Sequence, residues 1–383
     1  VTTADATAAW LAPQQRFDAL QAEARRRHPR GLCDLAYANA WSGPAEGVKD
    51  ALRAALDTDR NLDLQYTPYG GATIARRTVA RWLDGIVDNR GRHHFKNVVL
   101  TPGAMAALAM TFKALAPEAG DEILIPTPCW LDYPLYMAQQ GIVPRLVPLT
   151  GDDLVLDLDA IAAAIGPRTR ALVLSQPANP TGRVWSADEL GALGALLDHR
   201  GVRLISDECH RLLSSVPVTA GASVVPSALT VFSFGKGLSL QGQRIGFVAV
   251  SPDDPGREAL RDRLTTLARA MGFCTPTALM QRALPALLKL TPEVGELDAM
   301  RDRARSALTG AGFKVPRSDA SFFLYPAVRG GDDEAFAARA AERGVLVLPG
   351  SIFHHRGHVR LSLTERPERL DDGLEVLTSL GPS

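Results

Sequence analysis

The sequence predicts an α/β fold: a large domain with a mostly parallel sheet covered by helices, followed by a smaller α+β domain. Three observations carry this. Short apolar runs alternate with amphipathic helices between about residues 45 and 255; beyond that, longer helices lead into isolated short strands. The third is length, since 383 residues exceed what one core usually organises at about 150 residues per domain.

In chain order, a helix is expected from Ala45 to Leu56, where Val48, Leu52, Ala55 and Leu56 share one face behind Ser42-Gly43-Pro44. Another begins after Gly70-Gly71. Buried strands are expected at Val98–Leu100, Glu122–Ile125, Ala171–Leu174, Val202–Ile205, Leu229–Phe232 and Gly246–Val250. Helices follow several of them, at Met105–Leu115, Leu131–Gln139 and Ser186–His199. The last opens on Ser186-Ala187-Asp188-Glu189, a capping box in which Ser186 and Glu189 satisfy each other's free amides. This alternation argues for parallel strands covered on both faces. Past residue 255 come helices at Arg257–Met271, Pro276–Leu288 and Pro292–Ala311, then short strands near Phe322–Tyr325 and Val345–Leu348. A helix at Asp333–Arg343, a strand at His358–Leu363 and a helix near Glu368–Leu380 complete the chain. We place the large domain at 45–255 and the small one at 256–383, joined by the N-terminal segment 1–44.

Lys and Arg number 42, as do Asp and Glu. That balance excludes the electrostatic footprint of a protein that mainly grips nucleic acid or an anionic membrane. No run approaches the roughly 18 apolar residues of a membrane span, and residues 1–30 lack the apolar core of a secretory signal. Cys33, Cys129, Cys209 and Cys274 are too scattered for zinc knuckles and read as reduced residues of a cytoplasmic protein. His93-His94 and His354-His355 read as loop residues rather than metal ligands, although the second pair could touch a substrate side chain.

In open α/β sheets the chemistry sits in loops after the strands. Lys236 follows the strand in Thr230–Gly237, with Arg244 eight residues on. It is either a plain surface lysine or, if dehydrated beside a second cation, an amine nucleophile toward an aldehyde. Ser206-Asp207-Glu208-Cys209-His210 closes another strand; its acids are helix caps or a buried partner for a cationic ring nitrogen. Gln176–Gly182 could be a proline turn. Thr101-Pro102-Gly103-Ala104-Met105 leads into a helix whose free amides make an anion site.

Taken in order, these loops resemble the class I/II aminotransferases, pyridoxal-5′-phosphate enzymes of fold type I. The matching runs also include Tyr66-Thr67-Pro68-Tyr69-Gly70 with Arg76, Pro126–Tyr133, Asn179-Pro180-Thr181-Gly182, Leu348-Pro349-Gly350-Ser351-x-Phe353 and Val359-Arg360-Leu361-Ser362. The resemblance implies that Lys236 forms the internal aldimine and moves the proton at Cα of an amino-acid substrate. It implies that Asp207 keeps the pyridine nitrogen protonated, so the ring stays an electron sink. Asn179 would bond the ring hydroxyl, and Trp130 would stack on the ring. Ser233, Arg244 and the Gly103, Ala104 and Met105 turn would bind the phosphate. Arg360 would clamp the substrate carboxylate beside Asn179. Tyr66 would reach the phosphate of a neighbouring subunit, which implies a homodimer with shared sites. Trp130 and Tyr66 could also be plain packing aromatics.

Three positions depart from ordinary aminotransferases. His210 stands where the family usually has Tyr, as in the carbon–sulfur β-lyase branch. The loop Leu35-Ala36-Tyr37-Ala38-Asn39-Ala40-Trp41 has Ala38 at a glycine position, narrowing the pocket, while Tyr37, Asn39 and Trp41 offer new contacts. Gly235 precedes the lysine where Ser or Thr is common. These changes favour transamination of a specialised substrate. Elimination or replacement at Cβ or Cγ, including on a sulfonium amino acid, is the second reading. Oxidative, decarboxylating or cyclising chemistry and a non-catalytic regulatory module are weaker ones.

Overall fold

The buried runs of Val, Ile and Leu form strands because β-branched and aliphatic side chains pack well on a pleated surface covered on both sides. In the computed structural model, which describes residues 3–39, 43–57, 64–86 and 92–381, they build one seven-stranded sheet. Ahead of it lie helix α1 (Thr3–Arg27), the short strand β1 (Cys33–Asp34), α2 (Glu46–Leu56) and α3 (Thr73–Ile86). The sheet then takes β2 (Val98–Thr101), β3 (Glu122–Thr127), β4 (Val143–Pro148), β5 (Thr169–Ser175), β6 (Arg203–Asp207), β7 (Leu229–Ser233) and β8 (Gly246–Val250). Their order is β2-β8-β7-β6-β5-β3-β4, parallel except for β8, which runs against both neighbours. Strand β4 is an addition to the sequence expectation. Pro144, Arg145 and Pro148 interrupt its apolar run, which an edge strand paired only with β3 tolerates.

Helices α4 (Ala104–Leu115), α5 (Asp132–Gln139) and α9 (Arg257–Ala270) cover one face through Leu108, Met110, Tyr133, Met137 and Leu264. The other face is covered by α6 (Leu158–Ala164), α7 (Ala187–His199) and α8 (Gly221–Val224), through Ile161, Leu193, Leu197 and Val225. The capping box forms as expected: the Glu189 amide donates to Ser186 Oγ at 3.2 Å, and the Ser186 amide donates to Glu189 Oε2 at 2.9 Å. Helix α10 (Ala278–Leu287) packs with α2 and α3 over the β2 and β8 end, around Phe232, Phe234 and Phe247.

The remaining chain forms α11 (Gly295–Gly310), β9 (Phe323–Leu324), α12 (Asp333–Glu342), β10 (Val345–Leu346), β11 (Leu348–Pro349), β12 (Val359–Ser362) and α13 (Pro367–Leu380). Strands β11, β12 and β9 make an antiparallel sheet, while β10 pairs with β1. Helix α1, to which the sequence reading assigned no helix, contacts α5 and α12; Pro13 inside it masks it from simple inspection. Among the described residues no helix is long and apolar enough to cross a membrane.

Candidate active site

Register brings the site together. Ser175 on β5 lies opposite Asp207 on β6, and Asp207 lies opposite Val231 on β7, so three adjacent strands end at one level. Beyond them opens a cavity of about 430 Å³. Lys236, Asp207, His210 and Trp130 line it, as do Asn179, Ser233 and Arg244. Ala104, Met105, Ala38 and Arg360 complete the set of expected residues found there.

Lys236 leaves β7 on a tight loop in which Gly235 is squeezed: a Cβ on it would stand 3.0 Å from the Gln241 Cα. That close approach leaves little room for a side chain at position 235. The Lys236 amine reaches the Ala38 carbonyl at 3.4 Å. Burial first, and then the Arg360 and Arg244 charges, push its pKa down to about 8, against a smaller opposing pull from Cys209.

The Asp207 carboxylate is buried and has no cation partner among the described residues. It accepts from the Tyr133 hydroxyl at 2.6 Å and the Cys209 amide at 3.2 Å. Burial raises its pKa, and the hydrogen bonds from Cys209 and Tyr133 pull the other way. His210 is buried between Phe322 and Phe323, with Nδ1 2.8 Å from the Ser321 hydroxyl. Burial, then Lys236 and Arg360, hold its pKa well below the ordinary value, so the ring is neutral.

Arg360, on β12, is buried over the rings of Phe323 and Phe353. It donates to Asn179 Oδ1 at 3.0 Å and to the Ala36 carbonyl at 2.7 Å, leaving Nε buried without a partner. Burial lowers its pKa to about 9, against smaller effects of Tyr325 and Tyr37, so it remains a cation with no carboxylate partner among the described residues. At the start of α4, Gly103 has φ +81°, and a Cβ there would meet Arg244 Nη2 at 2.7 Å. The bare backbone lets the guanidinium lie against the first turn of α4, where free amides favour an anion.

Other expectations fall elsewhere. Asn39 is exposed and does not line the cavity, and Ala40 and Trp41 lie outside the described residues. Tyr66, 97% exposed, lines a second cavity of about 310 Å³ with Cys274–Ala278. His354 and His355 lie off the cavity, with His354 edge-on to Trp10. His93 bonds Asp84 at 2.9 Å, and no metal-binding cluster occurs among the described residues. Arg76 ties α3 to the carbonyls of Phe95, Lys96 and Val98. Sequence reasoning gave no role to Tyr133, Cys209, Ser321 or Gln14. Tyr133 and Cys209 lie inside quoted motifs, whereas Ser321 and Gln14 carry no local signal.

These residues fit pyridoxal phosphate. A buried carboxylate without a cation suits a protonated ring nitrogen, the glycine cradle beside Arg244 suits a phosphate, and a poised amine suits an aldehyde. The orphan Nε of Arg360 leaves room for a carboxylate. Asp207, the Gly103 turn with Arg244, and Lys236 could therefore hold the group.

The comparisons agree. The family model described as aminotransferase class I and II matches residues 33–377. A probable aspartate/prephenate aminotransferase of Aquifex aeolicus is 29% identical over 342 residues, covering 85% of each chain. The aspartate/prephenate aminotransferase of Thermus thermophilus is 30% identical over 339 residues, covering 86% of each. A solved double mutant of the Thermus thermophilus aspartate aminotransferase superposes with a TM-score of 0.85 at 28% identity, over 95% of this chain and 96% of that one. Site and similarity agree that the chain belongs to the class I and II aminotransferase family and is a pyridoxal-phosphate-dependent transferase.

Proposed function

We propose that the enzyme transfers the α-amino group of a specialised amino acid whose side chain is neutral or cationic. One observation carries this: among the described residues, Lys236, Arg244 and Arg360 are the only cations lining the cavity, and each has a task. What is left to read a side chain, namely Gln14, Tyr37, Leu131 and Asp132, is neutral or acidic. An acidic side chain would be desolvated there without a cation. Amino-acid titration of the loaded enzyme, followed by absorbance and keto-acid release, tests the reading; preference for aspartate or glutamate would refute it.

Bound pyridoxal phosphate supplies an aldehyde for the amine and a ring that accepts electron density from the bonds at Cα. The roles we assign to the chain's own groups follow from their positions. Arg360, steered by Asn179 and the Ala36 carbonyl, holds the substrate carboxylate. Lys236, with its lowered pKa, takes and returns the proton at Cα. Asp207 would hold a proton on the ring nitrogen, Asn179 and His210 would serve the ring oxygen, and Trp130 would pack on the ring. Ser233, Arg244 and the Gly103, Ala104 and Met105 turn hold the phosphate.

His210 favours a second reading. A neutral imidazole in place of a phenol holds the ring oxygen differently, and proton removal at Cα serves elimination or replacement equally well when the substrate carries a β or γ leaving group. Ammonia release without a pyridoxamine form would identify that outcome.

We also propose a homodimer. Leu64, Tyr66, Tyr69 and Ile74 expose large apolar surface along one short stretch, which a partner subunit would cover. We place the large domain at about 45–290 rather than ending it at 255, because α9 packs on α4 and β2, and α10 packs on α2 and α3. The pairing of β1 with β10 supports joining the N-terminal segment to the small domain. Four free cysteines support a reducing, cytoplasmic setting.

A further inference from the structure

Ser321, fully buried ahead of β9, holds φ at +63°, a left-handed conformation that costs a residue bearing a Cβ. Its surroundings pin it there. The Ser321 amide donates to the Leu213 carbonyl at 2.7 Å, and the buried Arg301 guanidinium donates to the Ser321 carbonyl at 3.0 Å. Arg301 is fixed in turn by Asp298 at 2.6 Å and the Asp319 carbonyl at 3.2 Å. The Leu213 amide closes the circuit by donating to the His210 carbonyl at 2.9 Å. This scaffold sets the Ser321 hydroxyl, from the C-terminal third of the chain, 2.8 Å from Nδ1 of a histidine in the turn after β6.

We propose that Ser321 is a positioning residue that fixes the tautomer of His210: its hydroxyl donates to Nδ1, leaving the ring N–H on Nε2, facing the cavity. The functional part of this rests on the placement of His210 beside the cofactor ring proposed above. Counting protons decides the direction. Among the described residues Ser321 Oγ has no other hydrogen-bond partner, so a donating Nδ1–H would leave the hydroxyl hydrogen buried with no acceptor. With the hydroxyl donating, Nδ1 and the hydroxyl satisfy each other. Nε2, which bonds no group among the described residues, stays free for the cavity that His210 lines. Burial, and then the Lys236 and Arg360 charges, disfavour a second proton, so the neutral imidazole carries a single N–H. Phe322 and Phe323, at ring distances of 5.5 and 5.1 Å, keep the ring from turning over to exchange its nitrogens. Locked this way, His210 presents one donor where a phenol would present one. Unlocked, it would offer a lone pair in part of the population.

The test reads the tautomer directly. Histidine-labelled, cofactor-free protein is studied by long-range proton–nitrogen correlation, with His210 assigned by the loss of its signals in His210→Gln. The wild type is expected to show a bare Nδ1 and a protonated Nε2. Ser321→Gly removes the hydroxyl and suits the positive φ, and it is expected to populate the Nδ1-protonated tautomer. In the cofactor-loaded protein, the pH midpoint of the visible band should move upward in Ser321→Gly, because a ring oxygen that loses its donor holds the neighbouring proton more tightly. A protonated Nδ1 in the wild type, or an unchanged tautomer in Ser321→Gly, would overturn the proposal. If Ser321→Gly does not fold, the wild-type spectrum alone decides between the two tautomers. A visible band whose titration ignores His210→Gln would overturn the placement beside the cofactor, independently of the tautomer.

Discussion

The Tyr133 hydroxyl, on the first turn of α5, donates a 2.6 Å hydrogen bond to the carboxylate of Asp207 at the end of β6. Both groups are buried, so this bond is a main compensation Asp207 receives inside the chain. Tyr133→Phe is therefore expected to destabilise the cofactor-free protein by about 1–3 kcal/mol, as for a buried acceptor that loses its donor. Urea unfolding checks the magnitude. Cofactor loading should offset part of the loss, since a ring nitrogen carrying a proton gives Asp207 a new partner.

Lys236→Ala should leave the fold intact while removing the amine that captures the aldehyde. The expected outcome is no visible absorbance band, no borohydride-stable label and no turnover. Labelling at another lysine in the wild type would show that Lys236 is not that amine.

Arg360→Ala should weaken substrate binding by about 2–5 kcal/mol, the cost of breaking one side of a desolvated charge pair. Arg360→Lys should restore little, because an ammonium cannot engage Asn179, the Ala36 carbonyl and a carboxylate in one plane. Spectral titration with substrate measures both. Unchanged affinity in Arg360→Ala would take the carboxylate role from it.

A Lys236 pKa near 8 sets the pH dependence of cofactor capture. The neutral amine is the nucleophile, so the rate at which cofactor-free protein takes up pyridoxal phosphate should rise through pH 7 and level off above about 8. An ordinary lysine would still be climbing at pH 10. Stopped-flow absorbance across this range distinguishes the two.

Gly103→Ala tests the phosphate cradle. Its Cβ would stand 2.7 Å from Arg244 Nη2, and its φ of +81° disfavours any side chain. The variant should bind pyridoxal phosphate more weakly yet bind pyridoxal, which lacks the phosphate, about as well as the wild type does. Equal losses for both would mean that the substitution disturbs more than the cradle.

Much of this was legible in the residues. The six apolar runs became the five inner strands and the edge strand β2, because burial on both faces demands continuous aliphatic sequence. Ser186 and Glu189 announced α7 by local chemistry alone. The loop residues Lys236, Asp207, Asn179 and Arg244 were readable because strand ends collect function. Where contacts are long-range, the sequence was silent. The Ser321–His210 and Arg360–Ala36 contacts join positions more than a hundred residues apart, and no periodicity encodes them. Strand β4 hid because an edge tolerates proline, and α1 because Pro13 breaks the pattern that its packing on α5 makes viable. Asn39 shows the converse: a polar residue in a suggestive loop that lies exposed and off the cavity.

The guanidinium of Arg360 is held between Ala36, near the start of the chain, and Asn179, at its middle, on a strand near its end. During synthesis, Lys236 leaves the ribosome well before the arginine that orients its substrate. Until that arginine is in place the lysine lacks both its substrate anchor and one of the charges that lower its pKa. Competence therefore waits on β12 docking beside Ala36 and Asn179.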